Sequence, residues 1–401
     1  LDRIHDSAKE ALDTATLRTL IVEGDNGTGK TRLTAELLRR LEKTFPDIKI
    51  LGACCSEADA DDDISVLGQL LRRRFGIIPN EPIHTALGRI EDGLAGDVGH
   101  QLGPSAIRDL AFTMGLPRTG HTTTPQDSVV IDTMATLLKA DADQHPQVLI
   151  FHRAQHLTER TKLILEDLAE QLLNTRTVIV FLRLQSAPEL PQAFSPLSIK
   201  VSLAPLQRQD MVTLVTAVLA KLDTIPDALV NALVARAAGN PRLAEDNIRL
   251  LVQRGLIETK KDGWTLREDE VEGHFELGEE PEALSRARIA VIPVDIRHVL
   301  SLASVFGESF WFGAVLSARR VVQGGAPATS EPWFVDPTAD WLGQVLESAV
   351  TSDLIFVNGD SVIPGHQEFT FSSDSDRVAL YESLPLTDRN ALHRVAGQWL
   401  T

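Results

Sequence analysis

The stretch "TLIVEGDNGTGKTRL", residues 19 to 33, narrows the folds open to this chain more than any other feature. A run of strand-forming residues enters a glycine turn and leaves as a helix. Gly24, Asp25, Asn26, Gly27, Thr28, Gly29, Lys30 and Thr31 together satisfy G-x-x-x-x-G-K-[ST]. Glycines permit positive φ and let backbone N–H groups turn inward onto phosphates. A helix starting near Gly29 adds partial positive charge at its N-terminus. Lys30 is expected to reach the β- and γ-phosphates of ATP, or the β-phosphate of ADP, with the Thr31 hydroxyl ligating Mg2+. Arg32 completes the candidate phosphate-binding set.

The surrounding pattern supports an α/β domain. "LRTLIVEG", "IKILGACC", "QVLIF" and "TRTVIVFLRL" are short apolar runs, as strands buried on both faces should be. Between them lie helical stretches such as "KTRLTAELLRRLEKTF" and "TERTKLILEDLAEQLL", with apolar residues at helical spacing. Four or five strands alternating with helices indicate an open parallel sheet covered on both faces, over residues 1–205. Residues 206–267 read as a helical lid of three helices closed by a hairpin, with Asp262-Gly263 at its turn. The acidic stretch 268–290 reads as a linker. Residues 291–378 read as helix, helix, helix and hairpin, a winged helix in outline, with Asn358-Gly359 at the hairpin turn. Residues 379–401 begin a further helical region.

Hydrolysis needs an apolar strand ending in Asp to hold magnesium, usually with an acidic neighbour to activate water. The strand in the right place, "PQVLIF", runs into His152 and Arg153. An imidazole is a poor stand-in for a hard oxygen ligand of magnesium, and a guanidinium accepts no proton. A positively charged pair is thus expected where carboxylates would stand, and no catalytic residue is assigned there. The other apolar strand ends in Arg183 and restores no acid. Glu159, or one of Asp61, Asp62 and Asp63, is the remaining source of a displaced acid. His152 and His156 have metal-ligand spacing, but Arg153 occupies the position a metalloprotease gives to its glutamate.

Bulk properties bound the rest. A net charge of −17 argues against general affinity for nucleic acid. No apolar stretch reaches membrane-spanning length, so no membrane role is expected. Cys54 and Cys55 are adjacent and fit buried apolar positions in a reducing compartment; a cytoplasmic location is expected. The chain starts at Leu1 without an initiator Met, which suggests a piece of a longer polypeptide.

These motifs in this order resemble the signal-transduction ATPases with numerous domains, the STAND class of AAA-related P-loop proteins. The similarity is to the branch linked to bacterial adenylate cyclases, Ser/Thr kinases and LuxR-type regulators, and it covers nearly the whole chain. It implies that "GDNGTGKTRL" is the phosphate loop and that Arg183, in "FLRLQSAPEL", is a sensor arginine facing the γ-phosphate. It also implies that Pro241, in Gly239-Asn240-Pro241, packs on the adenine. The family's strand-end "DD" falls at His152-Arg153, and its winged-helix sensor His falls at Ser372 or Ser373. The resemblance therefore implies a nucleotide-holding regulatory module with weak or no hydrolysis. Its implied partners are other domains of the same polypeptide, namely a kinase, cyclase or regulator effector and a helical-repeat sensor; assembly tends to follow nucleotide binding in relatives, which leaves a homo-oligomer open without requiring it.

Three other readings compete. An active ATPase would use one of the displaced acids. A DNA-binding regulator would use Arg297, Arg319 and Arg320 of the winged helix. A nucleotide-free scaffold would leave the phosphate loop idle.

Overall fold

The computed structural model describes residues 1–55, 65–77, 83–94, 102, 105–116, 127–190, 194, 198–260, 263–267, 281–322, 337–352, 354–357 and 367–400. The chain divides into two units, Leu1–Ala204 and Pro205–Thr401.

In the first unit, β1 (Arg18–Gly24), β2 (Lys49–Cys54), β3 (Gln147–His152), β4 (Thr177–Arg183) and β5 (Ser198–Leu203) form one sheet in the order β2-β3-β4-β1-β5. All neighbouring pairs are parallel. Period-2 alternation splits the apolar strands between two cores. Leu20, Val22, Val148, Ile150, Val178 and Val180 pack with Ile4 and Ala8 of helix α1 (Asp2–Asp13) and Leu37 and Leu41 of α2 (Lys30–Thr44). On the other face Ile21, Leu149, Phe151, Ile179 and Phe181 meet a layer of helices. These are α3 (Ser65–Phe75), α4 (Ile83–Gly93), α5 (Ala106–Thr113), α6 (Asp127–Gln144) and α7 (Glu159–Gln171). Phe151 and Phe181 stack with their rings 5.2 Å apart. Burial on both faces is why these strands carry almost no polar residues.

One buried acid on this unit's rim is fully compensated. The Asp141 carboxylate at the end of α6 takes Lys49 Nζ at 2.9 Å and both the Nε and Nη2 of Arg74. It ties α6 to the start of β2 and to α3.

The second unit begins with helices α8 (Arg208–Val218), α9 (Asp227–Ala237) and α10 (Pro241–Gln253), which enclose Met211, Val215, Leu229, Leu233, Ile248 and Leu251. The antiparallel pair β6 (Ile257–Lys260) and β7 (Gly263–Leu266) follows. Asp262 of the expected turn lies outside the described residues. Contrary to the linker reading of 268–290, its second part is a helix, α11 (Pro281–Val291), whose Leu284 joins the same core and whose Arg288 is fully buried. An acidic run hid an amphipathic helix.

Helices α12 (Val294–Ala303), α13 (Phe312–Val322) and α14 (Pro337–Thr351) surround a sheet of β8 (Ser309–Trp311), β9 (Ile355–Val357) and β10 (Glu368–Phe371), ordered β8-β10-β9 and antiparallel. Phe310 and Trp311 lie in β8, where Phe310 stacks on Phe369 at 5.5 Å and Trp311 Nε1 donates to Glu368 Oε2 at 3.2 Å. Cross-strand aromatic pairing outweighs the local helical pattern. Asn358 and Gly359 lie outside the described residues. The chain closes with α15 (Asp374–Glu382) and α16 (Leu386–Leu400). No helix among the described residues is long and apolar enough to cross a membrane.

Candidate nucleotide-binding site

The β1–α2 turn is built as a phosphate cradle. Gly27 has φ 81° and Gly29 φ 97°, left-handed values at which a side chain would be strained. A methyl group on Gly24 would fall 2.6 Å from Thr28 Oγ1 and 3.1 Å from the Leu203 carbonyl oxygen. Thr28 Oγ1 donates to the Asp25 carbonyl at 2.8 Å, closing the loop on itself. Because α2 starts at Lys30, its first-turn amides have no acceptor within the helix and face the loop with the positive end of the helix dipole.

Lys30 Nζ donates to the carbonyl oxygens of Gly24 at 2.7 Å and Asp25 at 2.8 Å. Burial lowers its pKa from the ordinary lysine value, and the nearby Asp25 charge pulls the other way. An ammonium held by two carbonyls over a glycine loop suits a phosphate, which would satisfy it better than neutral acceptors do. Asp25, Asn26, Thr31 and Arg32 are exposed around it. These residues fit a nucleoside di- or triphosphate. Thr31 offers one hydroxyl to a metal. Among the described residues no group of three or more His, Cys, Asp or Glu is placed to hold an ion.

The expected place for the hydrolytic acids is the end of β3. His152 is half-buried there, its carbonyl accepting from Cys55 N at 2.9 Å. Arg153 follows with φ 54°, a left-handed value uncommon outside glycine, and leads into a single 3₁₀ turn, Ala154–His156. Burial, and then the charge of Arg73, hold the His152 imidazole below its ordinary pKa, so at neutral pH it is uncharged. The pair at the strand end is a neutral imidazole and an exposed guanidinium rather than two cations. Neither is an acid.

Glu159 opens α7 behind an N-cap at Thr158, whose hydroxyl accepts from Thr161 N at 3.1 Å. Its side chain is 88 % exposed and pairs with Lys162 Nζ at 2.7 Å. That is a solvated surface pair, not a sheltered base. Asp61, Asp62 and Asp63 lie outside the described residues.

Arg183 departs most from its implied role. It is buried, with Nε 3.0 Å from Glu23 Oε1, Nη1 donating to the Pro188 carbonyl at 2.6 Å and Nη2 to the Ala187 carbonyl at 2.8 Å. Glu23 stands immediately before Gly24 and opposite Arg183 in the β1–β4 register. Its second oxygen pairs with Lys200 Nζ at 2.9 Å. Sequence reasoning passed over Glu23, although an acid in an otherwise apolar central strand was a visible signal.

Pro241 belongs to the second unit. It is the first residue of α10, behind Asn240, whose Oδ1 accepts from Arg242 N at 3.0 Å and Leu243 N at 3.3 Å. Gly239 has φ 83°, and a methyl there would lie 2.7 Å from Pro205 Cβ. Arg242 donates to Ser373 Oγ at 2.7 Å, so the Gly-Asn-Pro turn is bonded to the residue that caps α15. Ser373 was singled out as the place of a missing histidine; it is a buried cap and hydrogen-bond acceptor. Its neighbour Ser372 accepts no such bond.

Residues 1–182 match the family model of the AAA ATPase domain. The first unit carries an AAA ATPase-type, P-loop domain. No curated protein matches the chain significantly. Among solved structures, the chain is similar to the ORC1 protein of Aeropyrum pernix in complex with DNA, at 15% identity and a TM-score of 0.41, covering 95% of this chain and 91% of that one. It is also similar to Drosophila ORC bound to DNA, at 14% identity and a TM-score of 0.42, covering 95% and 85%. Both likenesses are distant.

Proposed function

We propose that this chain is an ATP- or ADP-binding regulatory module of a multidomain signalling protein, and that it holds nucleotide with weak or no turnover. The observation that carries this reading is the contrast between its two strand ends. The end of β1 forms a complete phosphate cradle with Lys30 poised over it, while the end of β3 offers His152 and Arg153.

In this reading Gly24, Asp25, Asn26, Gly27, Thr28, Gly29, Lys30, Thr31 and Arg32 receive the phosphates. Lys30 exchanges its two carbonyl acceptors for phosphate oxygens. Bound magnesium would neutralise phosphate charge beside Thr31. No described residue at the end of β3 offers a carboxylate to hold magnesium through water, and the His152 imidazole is a weakened base because burial and Arg73 disfavour its protonated form. Positioning without that carboxylate leaves cleavage of the phosphoanhydride slow.

The second unit supports a winged-helix assignment through its order of α12, β8, α13, α14, β9 and β10. Membership of the STAND class, effector and sensor domains as partners, and assembly on nucleotide binding follow from the same reading. The test is equilibrium binding of ATP and ADP alongside phosphate release. Saturable binding that Lys30→Ala abolishes supports the proposal, and undiminished binding by that variant contradicts it.

A further inference from the structure

We propose that Glu23 is a positioning residue that holds Arg183 away from bound phosphate and so makes the site indifferent to whether its nucleotide is a di- or a triphosphate. The inference rests on the nucleotide-binding reading above and adds to it a determinant of ligand preference.

The register supplies the first step. Glu23 and Arg183 are paired residues of adjacent parallel strands, and the residue after Glu23 is the first glycine of the loop. Adjacent strands run about 4.8 Å apart, and ligands of open parallel sheets sit beyond the carboxyl ends of their strands. A cation on the last residue of β4 therefore stands one strand from the cradle, close enough to favour the extra charge of a third phosphate.

The contacts supply the second step. Every nitrogen of the Arg183 guanidinium faces a protein oxygen: Glu23 Oε1 at 3.0 Å, the Pro188 carbonyl at 2.6 Å and the Ala187 carbonyl at 2.8 Å. The Nε–Oε1 approach is an ion pair by distance, without the alignment of a hydrogen bond. Both side chains are buried, at 4 % and 3 % exposure. Turning Arg183 toward a ligand would strip a buried carboxylate of one of its two cations, which is costly away from water. Lys200 sits on the edge strand β5, half in solvent, and screens the other oxygen. The carboxylate is neutralised from both sides and so does not repel phosphates, while its main partner is withheld from them.

Titration of the folded protein with ATP and with ADP tests this. The parent is expected to bind both with affinities within about threefold. Glu23→Gln keeps the side chain's shape and removes the charge, freeing Arg183 to add a charge-assisted bond. Its preference for ATP over ADP is expected to rise about tenfold. Glu23→Gln combined with Arg183→Gln should return the ratio to that of the parent. Lys200→Gln leaves Arg183 engaged by Glu23 and removes a cation from the carboxylate, so it should not raise the ratio. An unchanged ratio in Glu23→Gln overturns the proposal. A parent that already prefers ATP by more than about tenfold also overturns it, and needs no variant to fold. If the parent binds neither nucleotide, or if Lys30→Ala binds as the parent does, the underlying nucleotide-binding reading fails and takes this proposal with it.

Discussion

Arg288 Nη2 lies 2.9 Å from Asp376 Oδ2, and Arg288 Nη1 lies 3.2 Å from Asp246 Oδ1, all three side chains being buried. One guanidinium thus joins α11 to α10 and α15. Asp246 also takes Arg242 Nε at 3.3 Å, so the group extends to the residue after Pro241. Removing the central cation leaves two buried carboxylates uncompensated. Arg288→Met is expected to lower unfolding free energy by about 3–5 kcal/mol, measured by denaturant titration. A loss below about 1 kcal/mol would show that water reaches the group.

The same cluster gives a pH signature. Burial pushes the Asp376 carboxyl above its ordinary value of 3.8; Arg288 and Ser285 pull it back down, Asp246 pushes it further up and Arg242 lowers it. A carboxyl that binds its proton more tightly when folded favours the folded state at low pH, and that contribution fades as pH rises through the raised value. Asp376→Asn lacks this dependence. The stability difference between variant and parent should therefore shift toward the variant as pH rises above 3.8. A difference independent of pH would contradict the assignment.

His152 carries the opposite sign. Its pKa lies below 6.5 in the fold, so the unfolded chain binds the proton more readily. Stability from the neutral ring is complete above pH 6.5 and is lost as pH falls toward the lowered value. His152→Gln should remove that part of the acid sensitivity, seen as a smaller drop in denaturation midpoint between pH 7.5 and about 5.5. An identical drop in both proteins would rule it out.

Gly239 tests the turn before Pro241. Its φ of 83° and the 2.8 Å approach of a Cβ to the Leu206 carbonyl oxygen leave no room for alanine. The Gly239 carbonyl also accepts from Leu206 N at 2.7 Å. Gly239→Ala should cost about 2–3 kcal/mol, read from thermal unfolding. A change under about 0.5 kcal/mol would mean that the turn relaxes freely.

What the sequence revealed follows the physics of burial. β1, β3 and β4 lie inside the sheet, and their apolar runs at residues 20–22, 148–151 and 178–182 were legible. β5 is an edge strand with intermediate or exposed residues throughout, and "SIKVSL" mixes polar with apolar types. The phosphate loop was legible because all its residues are consecutive. The Glu23–Arg183 pair was not, because it depends on which strand lies beside β1, a tertiary fact. Arg288 was hidden for the same reason: its two carboxylates are 42 and 88 positions away. The strand-end residues His152 and Arg153 were correctly located, but the charge of His152 depended on burial that the sequence did not display.

The central claim is that this chain binds nucleotide and does not efficiently cleave it. Its most direct test is inorganic phosphate release from ATP with magnesium, measured on protein shown by titration to be saturated with nucleotide. The account predicts saturable binding that Lys30→Ala removes, with phosphate release from the parent no faster than from that variant. Rapid magnesium-dependent release by the parent, abolished by Lys30→Ala, would contradict it.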